Sequence, residues 1–242
     1  MFESPTTYDA PGERSAGSNW RLTGGTASGL QGGVLTASFG WMFLALLVSA
    51  LAAFLTLANP DAFDFVANYA LLFVIAEFAL VIVLSAAINR MSTPVAVLTL
   101  FAYAALTGAT FAIVLAVFDL GSVVTAFLGA AAIFGAAALY GVVTGRDLTS
   151  LGGILFAGLI GLIVASLVNV FVGGDQMSFI VGVVGVVLFT GLTAYDVQRI
   201  NDGRMAWIRD RENASVYGAL SLYLDFVNIF DLLLSASGSR QR

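Results

Sequence analysis

Long apolar segments alternate with short polar ones along most of the chain. Each apolar segment is close to the ~20 residues that an α-helix needs to cross ~30 Å of hydrocarbon. Backbone inside a bilayer must satisfy its own hydrogen bonds, so these segments predict helices rather than strands. The predicted spans are residues 38–58, 65–88, 94–117, 123–143, 151–172, 179–200 and 217–235. The predicted fold class is an all-α polytopic membrane protein with seven transmembrane helices.

Two polar segments flank this apolar region. Residues 1–33 are rich in Gly, Ser and Thr and lack the apolar stretch of a signal peptide, so they predict a flexible N-terminal tail. Residues 34–236 predict a single seven-helix transmembrane domain, and residues 237–242 a short C-terminal tail.

Composition supports a bilayer as the surrounding medium. Of 242 residues, 59% are hydrophobic and 10% are charged, whereas a soluble domain has about 25% charged residues. The mean hydropathy is +0.95. The net charge of −5 argues against nucleic acid as a partner. These values exclude an ordinary soluble enzyme.

Three residue types are missing, and their absence limits the chemistry. The chain has no Cys and no His, and all ten basic residues are Arg. These absences exclude thiol chemistry, histidine-based triads and lysine Schiff bases. We expect no enzymatic activity and no cofactor, and any proton chemistry must use Asp, Glu, Tyr or Arg.

The charged loops predict an orientation, because arginine is enriched on the cytoplasmic side of a membrane. The tail and the loops after spans two, four and six carry arginine, whereas the loops after spans one, three and five carry only acids. The N-terminus is therefore predicted in the cytoplasm, and the protein in the cytoplasmic membrane. Seven full spans place Arg240 and Arg242 outside, and a re-entrant seventh segment would return them inside; we favour seven full spans.

Four acidic residues fall inside predicted spans: Glu77, Asp196, Asp225 and Asp231. A charged side chain at bilayer depth costs at least ~2.5–3.5 kcal/mol, so such residues face the bundle interior and are functional by default. Asp231 lies about 240° round its helix from Asp225. We expect it to be a solvated residue near the outer end.

Asp196 and Asp225 lie on consecutive antiparallel spans at similar depths, so the two carboxylates can meet. Thr193, Arg199 and Asn228 are three residues from one or other of them and share their faces. Two carboxylates in a low-dielectric site repel each other, and the pair would share a proton and titrate as a unit. We predict a pH sensor that is closed by the shared proton and that becomes a cation pocket when the proton leaves. Alternatively, each Asp only hydrogen-bonds a neighbouring helix.

Other polar residues have open assignments. Arg90, at the end of the second span, is either a topological anchor or a gate that pairs with the two aspartates. Glu77 either faces the same cavity or pairs with another helix. Thr193, Asn228 and Glu77 are the candidates for the ion pathway.

Four strings resemble the Bax inhibitor-1 family, the transmembrane Bax-inhibitor-motif proteins, and the resemblance covers about residues 35–236. It implies seven helices, with the last enclosed by the others. The strings are FGWMFLALLVSALAAF (39–54), RDLTSLGGILFAGLIGLIVASLVNVF (146–171), LFTGLTAYDVQRI (188–200) and ALSLYLDFVNIFDLLL (219–234).

The resemblance also implies a function. Prokaryotic members are similar to pH-sensitive calcium leak channels, in which a di-aspartyl pair, matching Asp196 and Asp225, shares the gating proton. An arginine on the second helix latches that pair, and Arg90 is the candidate by position. Other bacterial relatives are linked to modulating a membrane-bound AAA protease. Asp231 departs from the family, because an apolar residue is usual there.

The leading hypothesis is a monomeric, pH-gated Ca²⁺ leak channel, with Ca²⁺ as the permeating ion at a weak, transient site on Asp196 and Asp225. One alternative is a membrane regulatory protein that binds a membrane protease or another partner. Another is an intramembrane aspartyl protease, since Tyr195-Asp196 resembles one half of its motif. The GxGD and Pro-Ala-Leu motifs of that class are absent. A proton-coupled transporter would be expected to show an internal repeat, and we find none.

Overall fold

The computed structural model describes residues 20–172 and 174–237, and these form eight α-helices and no strand. The helices are α1 (Trp20–Ala58), α2 (Pro60–Asn68), α3 (Ala70–Ala87), α4 (Thr93–Leu115), α5 (Leu120–Val143), α6 (Thr149–Val172), α7 (Asp175–Asn201) and α8 (Arg211–Ser237).

All of these helices except α2 are long and apolar enough to cross a membrane. They correspond one to one to the seven spans that the sequence predicts, which confirms an all-α polytopic membrane protein. At 1.5 Å per residue, the 27 residues of α8 extend about 40 Å, enough to cross the hydrocarbon.

The second predicted span starts too early, because a bend divides it. Pro60 begins α2, and the side chain of Asn59 caps it by accepting hydrogen bonds from the backbone N–H groups of Asp61 (3.0 Å) and Ala62 (3.2 Å). Tyr69 then leaves the helical conformation with φ −110° and ψ 20°. The membrane-spanning helix α3 therefore begins only at Ala70.

Two helix ends also differ from the prediction. Helix α1 begins at Trp20, so the backbone of residues 20–33, predicted as tail, is helical. No proline stands between residues 20 and 58 to stop the helix from extending. Helix α8 begins at Arg211, earlier than the predicted residue 217. Residues 1–19 and 238–242 of the predicted tails lie outside the described residues.

Helix α8 is enclosed by the rest of the bundle. It packs against α1, α4, α5 and α7. In its most apolar 18-residue stretch 44% of the residues are buried, against 6% in the corresponding stretches of α3 and α6. Val216, Leu222, Tyr223, Ile229 and Leu234 on α8 are fully buried. A polar residue in the middle of α8, such as Asp225, is therefore held between neighbouring helices.

Small residues allow this close packing, since hydrocarbon offers no hydrophobic drive for helices to associate. A Cβ atom added to Gly108 of α4 would overlap the backbone of Ser49 in α1. A Cβ atom on Gly141 of α5 would lie 2.5 Å from the carbonyl oxygen of Ala194 in α7. These glycines set the distances between the helices that surround α8.

One end of the bundle carries Arg90, Arg146, Arg199, Arg204 and Arg209, and we call it the arginine-rich end. Helix α7 ends here at Asn201, and Gly203, two residues later, has a φ of 68°, in the left-handed region that glycine adopts freely. The N–H of Arg204 reaches the carbonyl of Arg199 at 3.0 Å, and the N–H of Gly203 reaches that of Ile200 at 3.1 Å. This pair of bonds is the Schellman arrangement of a helix C-terminus.

Side-chain amides hold the loops of this end together. The Asn89 amide donates to the Trp207 carbonyl and accepts from the Arg209 N–H, both at 3.0 Å. The Asn213 amide donates to the carbonyls of Ile88 and Met91, where α3 ends. The segment between α7 and α8 is thereby attached to the turn between α3 and α4.

We expect Gly108→Ala to destabilise the protein by about 1–3 kcal/mol, because an added methyl group would force α4 away from α1. Thermal unfolding in detergent measures this effect. Gly135→Ala is the matched control, since no atom lies within 4 Å of a Cβ added there. An unchanged unfolding temperature for Gly108→Ala would contradict the packing described here.

Asp119 caps the N-terminus of α5 by accepting hydrogen bonds from the Ser122 hydroxyl (2.7 Å) and the Ser122 N–H (2.9 Å). These bonds, the hydroxyl first, hold the pKa of Asp119 below its usual value of 3.8. The cap is therefore fully stabilising above that value and is lost as the pH falls through the lower, folded-state pKa.

We accordingly expect Asp119→Ala to lower the unfolding temperature at neutral pH. The difference from the unsubstituted protein should shrink as the pH falls below 3.8. Melting curves recorded from pH 7 to pH 2 measure both effects, and a difference that grew on acidification would contradict this assignment.

Candidate functional site

The structure brings Asp196 and Asp225 together at the contact between α7 and α8. Asp225 lies about 21 Å along α8 from its first residue, and its side chain is buried, with 4% exposed. Asp196 lies in the last turns of α7 and interacts electrostatically with Asp225. The Thr193 hydroxyl, one turn before Asp196, lies near the Asp225 carboxyl.

The two carboxyl groups have different surroundings. Asp196 has a cation nearby, because an Arg199 guanidinium nitrogen lies 3.7 Å from its Oδ1. The Oδ2 atom of Asp225 is buried and finds no hydrogen-bond partner among the described residues. A buried polar atom without a partner is expensive. A proton or a small cation bound here would offset that cost.

Two neutral polar side chains lie one turn from the aspartates along their helices. The Thr193 hydroxyl is fully buried, lies near the Asp225 carboxyl and donates to the Phe189 carbonyl of its own helix at 2.8 Å. The Asn228 amide, one turn beyond Asp225, donates to the Leu224 carbonyl at 2.7 Å. Thr193 therefore supplies an oxygen atom near the pair, whereas Asn228 bonds within its own helix.

A cation here would need ligands beyond the aspartates. Within the described part of the chain, no group of three or more His, Cys, Asp or Glu residues could hold a metal ion. Calcium takes six to eight oxygen ligands, and these include carbonyls, amides and water as well as carboxylates. Two carboxylates with neutral oxygens suit weak, transient binding.

The structure does not place Arg90 against the pair. Arg90 is exposed in the turn after α3 and forms no ion pair with any residue that the structure describes. The arginine beside Asp196 is Arg199, which also lies over the Tyr217 ring at 5.7 Å. A latch by Arg90 stays a prediction.

Glu77 lies away from this pair and contacts α4. The Thr110 hydroxyl donates to Glu77 Oε1 at 2.6 Å, so of the two options left open by the sequence, contact with another helix is the one observed. Further polar groups nearby are Ser49, Tyr103, Thr107 and Tyr223, none of which the sequence singled out. In the sequence these are isolated hydroxyl residues within apolar spans, which is common in membrane helices. The one available signal was the spacing of Thr107 and Thr110, which puts them on the same face of α4.

Asp231 is half-buried rather than a fully solvated end residue. It lies in α8 one turn beyond Asn228, and no described residue bonds to its carboxyl. Its place on the enclosed helix explains the difference, because the neighbours of α8 cover its outer part as well.

An open cavity of about 830 Å³ lies at the arginine-rich end, between the inner part of α1 and the start of α8. Its deepest α8 residue, Ser215, is about 15 Å along the helix from Asp225, so the cavity is separate from the carboxyl pair. Its lining residues are Gly33, Val34, Ala37, Arg209, Asp210, Arg211, Glu212 and Ser215.

Comparison with known proteins places this bundle among bacterial membrane proteins. The chain is 39% identical over 210 residues to the inner membrane protein YbhL of Escherichia coli, covering 84% of this chain and 90% of that protein. It is 40% identical over 208 residues to an uncharacterized protein of Deinococcus radiodurans, covering 85% and 90%. An uncharacterized protein of Borreliella burgdorferi is 38% identical over 213 residues, covering 86% and 92%.

The family described as inhibitor of apoptosis-promoting Bax1 matches residues 31–242, which include every helix that carries the site. The chain belongs to the Bax inhibitor-1 family of membrane proteins.

Proposed function

We propose that the protein is a pH-gated Ca²⁺ leak channel of the cytoplasmic membrane, with its N-terminus in the cytoplasm. The observation that carries this proposal is the buried, unpartnered Oδ2 of Asp225 beside Asp196. Two negative charges inside the contact between α7 and α8 would repel each other and do not stabilise the fold. The pair does suit a proton at low pH and a cation at high pH.

Gating would follow from the charge of the pair. With one shared proton, the two carboxyl groups bond to each other and α7 and α8 stay together. Loss of that proton leaves two repelling charges, which push the helices apart and attract a cation. Rising pH therefore opens the path, and falling pH closes it.

Permeation needs ions to leave as well as to enter, so weak binding is an advantage. The neutral oxygens of Thr193 and Asn228 would complete a transient Ca²⁺ shell around Asp196 and Asp225. Both neutral side chains are bonded to their own helices, which holds their positions. Ca²⁺ is the transported ion in this scheme and not a resident cofactor.

The orientation rests on the loops. The arginine-rich end would face the cytoplasm by the positive-inside rule. The end with Asp61, Asp64 and Asp119 would face outward. The inner-membrane location stated for the relative YbhL supports a cytoplasmic membrane for this chain as well.

A second candidate function is binding of a regulated partner, such as a membrane protease. The open cavity at the arginine-rich end favours it, because exposed charges of both signs line that cavity. Such a protein would show no ion flux in liposomes. It would retain one partner in a pull-down after both Asp196 and Asp225 are replaced by Asn.

The channel proposal predicts the behaviour of the carboxyl pair. In liposomes that contain a calcium dye, influx should rise with pH. In Asp196→Asn and Asp225→Asn this pH dependence should flatten, with at least about a tenfold loss of the pH-induced change, since a neutral amide cannot exchange the shared proton. Asp64→Asn, an exposed carboxylate on α2, is the matched control. Absent influx, or an unaltered pH profile in both variants, would refute the channel mechanism.

The latch is tested separately. If Arg90 reaches the pair in the closed state, Arg90→Gln should raise influx at acidic pH several-fold, because one closing ion pair is lost. Arg146→Gln is the control, since Arg146 is also exposed at the arginine-rich end. Equal leak in the two variants would remove Arg90 from the mechanism.

A further inference from the structure

A second polar cluster lies inside the bundle, away from the aspartate pair. It begins at Glu77, the only charged residue of α3, whose Oε1 accepts a 2.6 Å hydrogen bond from the Thr110 hydroxyl of α4. The side chain of Glu77 is half-buried. A carboxylate at this depth needs a positive partner or a polar cavity, and no described residue forms an ion pair with it.

The opposite side of the cluster is built around Tyr223 of α8, which is fully buried. Its hydroxyl lies 2.7 Å from the Ser49 Oγ of α1, and the Ser49 hydroxyl lies 2.7 Å from the Ala104 carbonyl of α4. The ring of Tyr103, also buried, packs edge-on against Tyr223 with 5.6 Å between centroids. Three helices thus contribute oxygen atoms to one place.

Thr107 lies between these two sides. Its side chain is 4% exposed, and its hydroxyl is near the Glu77 carboxyl and the hydroxyls of Tyr103 and Tyr223. None of these neighbours has hydrogen-bonding geometry to it, and its Oγ1 has no partner among the described residues. A buried hydroxyl without a hydrogen-bond partner destabilises the folded protein. Oxygens that converge without bonding one another are typical of a ligand site.

We propose that Glu77, Thr107, Tyr103 and Tyr223 form a second binding site for a small, hard cation. The donor atoms are all oxygen and include one carboxylate, which is the ligand type that Ca²⁺ and similar cations prefer. The cation would supply the positive charge that Glu77 lacks and the partner that Thr107 lacks. This inference rests on the proposed function only in the choice of Ca²⁺ as the natural cation.

The site is distinct from the aspartate pair. Tyr223 and Asp225 are two positions apart on α8, and two residues turn an α-helix by about 200°. The two side chains therefore leave opposite sides of the enclosed helix, Tyr223 toward α1 and α4, and Asp225 toward α7. Binding at one site can be measured when the other has been removed.

A purely structural role makes a different prediction. If the cluster only ties α3 to α4 and α1 to α8 through hydrogen bonds, its substitutions alter stability, and no cation binds.

Tb³⁺ is the probe that separates the two readings, because nearby tyrosines sensitise its luminescence and it occupies Ca²⁺ sites. The measurement uses the full chain in detergent, with Asp196→Asn and Asp225→Asn combined so that the aspartate pair cannot contribute. We expect sensitised emission that added Ca²⁺ reverses. Adding Glu77→Gln should weaken Tb³⁺ binding by about tenfold or more, since ligand charge sets the affinity of such sites.

Thr107→Val provides an independent variant, since it removes one oxygen without changing the charge and should weaken binding by about threefold. Asp64→Asn and Thr99→Val are the matched controls, because Asp64 is exposed, Thr99 is half-buried, and both lie outside the cluster. Thermal unfolding of every variant identifies any that does not fold. If the combined variant does not fold, Tb³⁺ binding is compared instead between the unsubstituted protein and Glu77→Gln alone.

The outcomes separate this inference from the channel proposal. Emission that depends on Glu77 in a protein without Ca²⁺ flux would support the second site and refute the channel. Ca²⁺ flux, together with Tb³⁺ emission that is unchanged in both Glu77→Gln and Thr107→Val, would support the channel and overturn the second site. Absence of sensitised emission in the folded protein would overturn it as well.

Discussion

The structure depends on the cost of an unsatisfied polar group in hydrocarbon. Seven helices satisfy their backbone groups internally, and the remaining polar side chains have to find partners between helices. Where partners are available, the bonds are short, as between Thr110 and Glu77 at 2.6 Å. Four buried side-chain atoms lack a partner among the described residues, and two of them, Asp225 Oδ2 and Thr107 Oγ1, lie in the polar groups discussed above. Binding of a proton or a cation at these two places would offset the cost of the missing bond.

Enclosure of α8 connects those two places. One side of this helix presents Asp225 to α7, and the other presents Tyr223 to α1 and α4. A movement of α8 that opened the aspartate pair would also act on the hydroxyl cluster. The close contacts at Gly108 and Gly141 leave little free space between the helices that surround α8. A movement of α8 would therefore displace its neighbours as well.

The arginine-rich end is organised differently. There, side-chain amides of Asn89 and Asn213 bind backbone groups of neighbouring loops. The exposed ion pair of Arg204 with Asp147, at 2.7 Å, adds little by itself. These bonds attach the segment before α8 to the end of α3, the helix that carries Glu77, with Arg90 just beyond it. The loops therefore connect the helix that carries Glu77 to the start of the helix that carries Tyr223 and Asp225.

The sequence by itself determined the number of spans and the acids that lie within them. Hydrophobic length and the cost of charge in lipid are local properties. The sequence also predicted that Asp196 and Asp225 can meet, but consecutive helices are not always neighbours in this bundle, since α5 packs against α7 and α8 rather than against α4 or α6. The pairing of Arg199 with Asp196 is local to α7 and follows from their spacing of three residues. Only the tertiary structure decided that Glu77 contacts Thr110 and that Tyr223 reaches Ser49. These contacts join residues from different helices, and their rotation about the helix axes is set by packing. In a chain that is apolar on nearly every face, hydrophobic periodicity does not reveal that rotation.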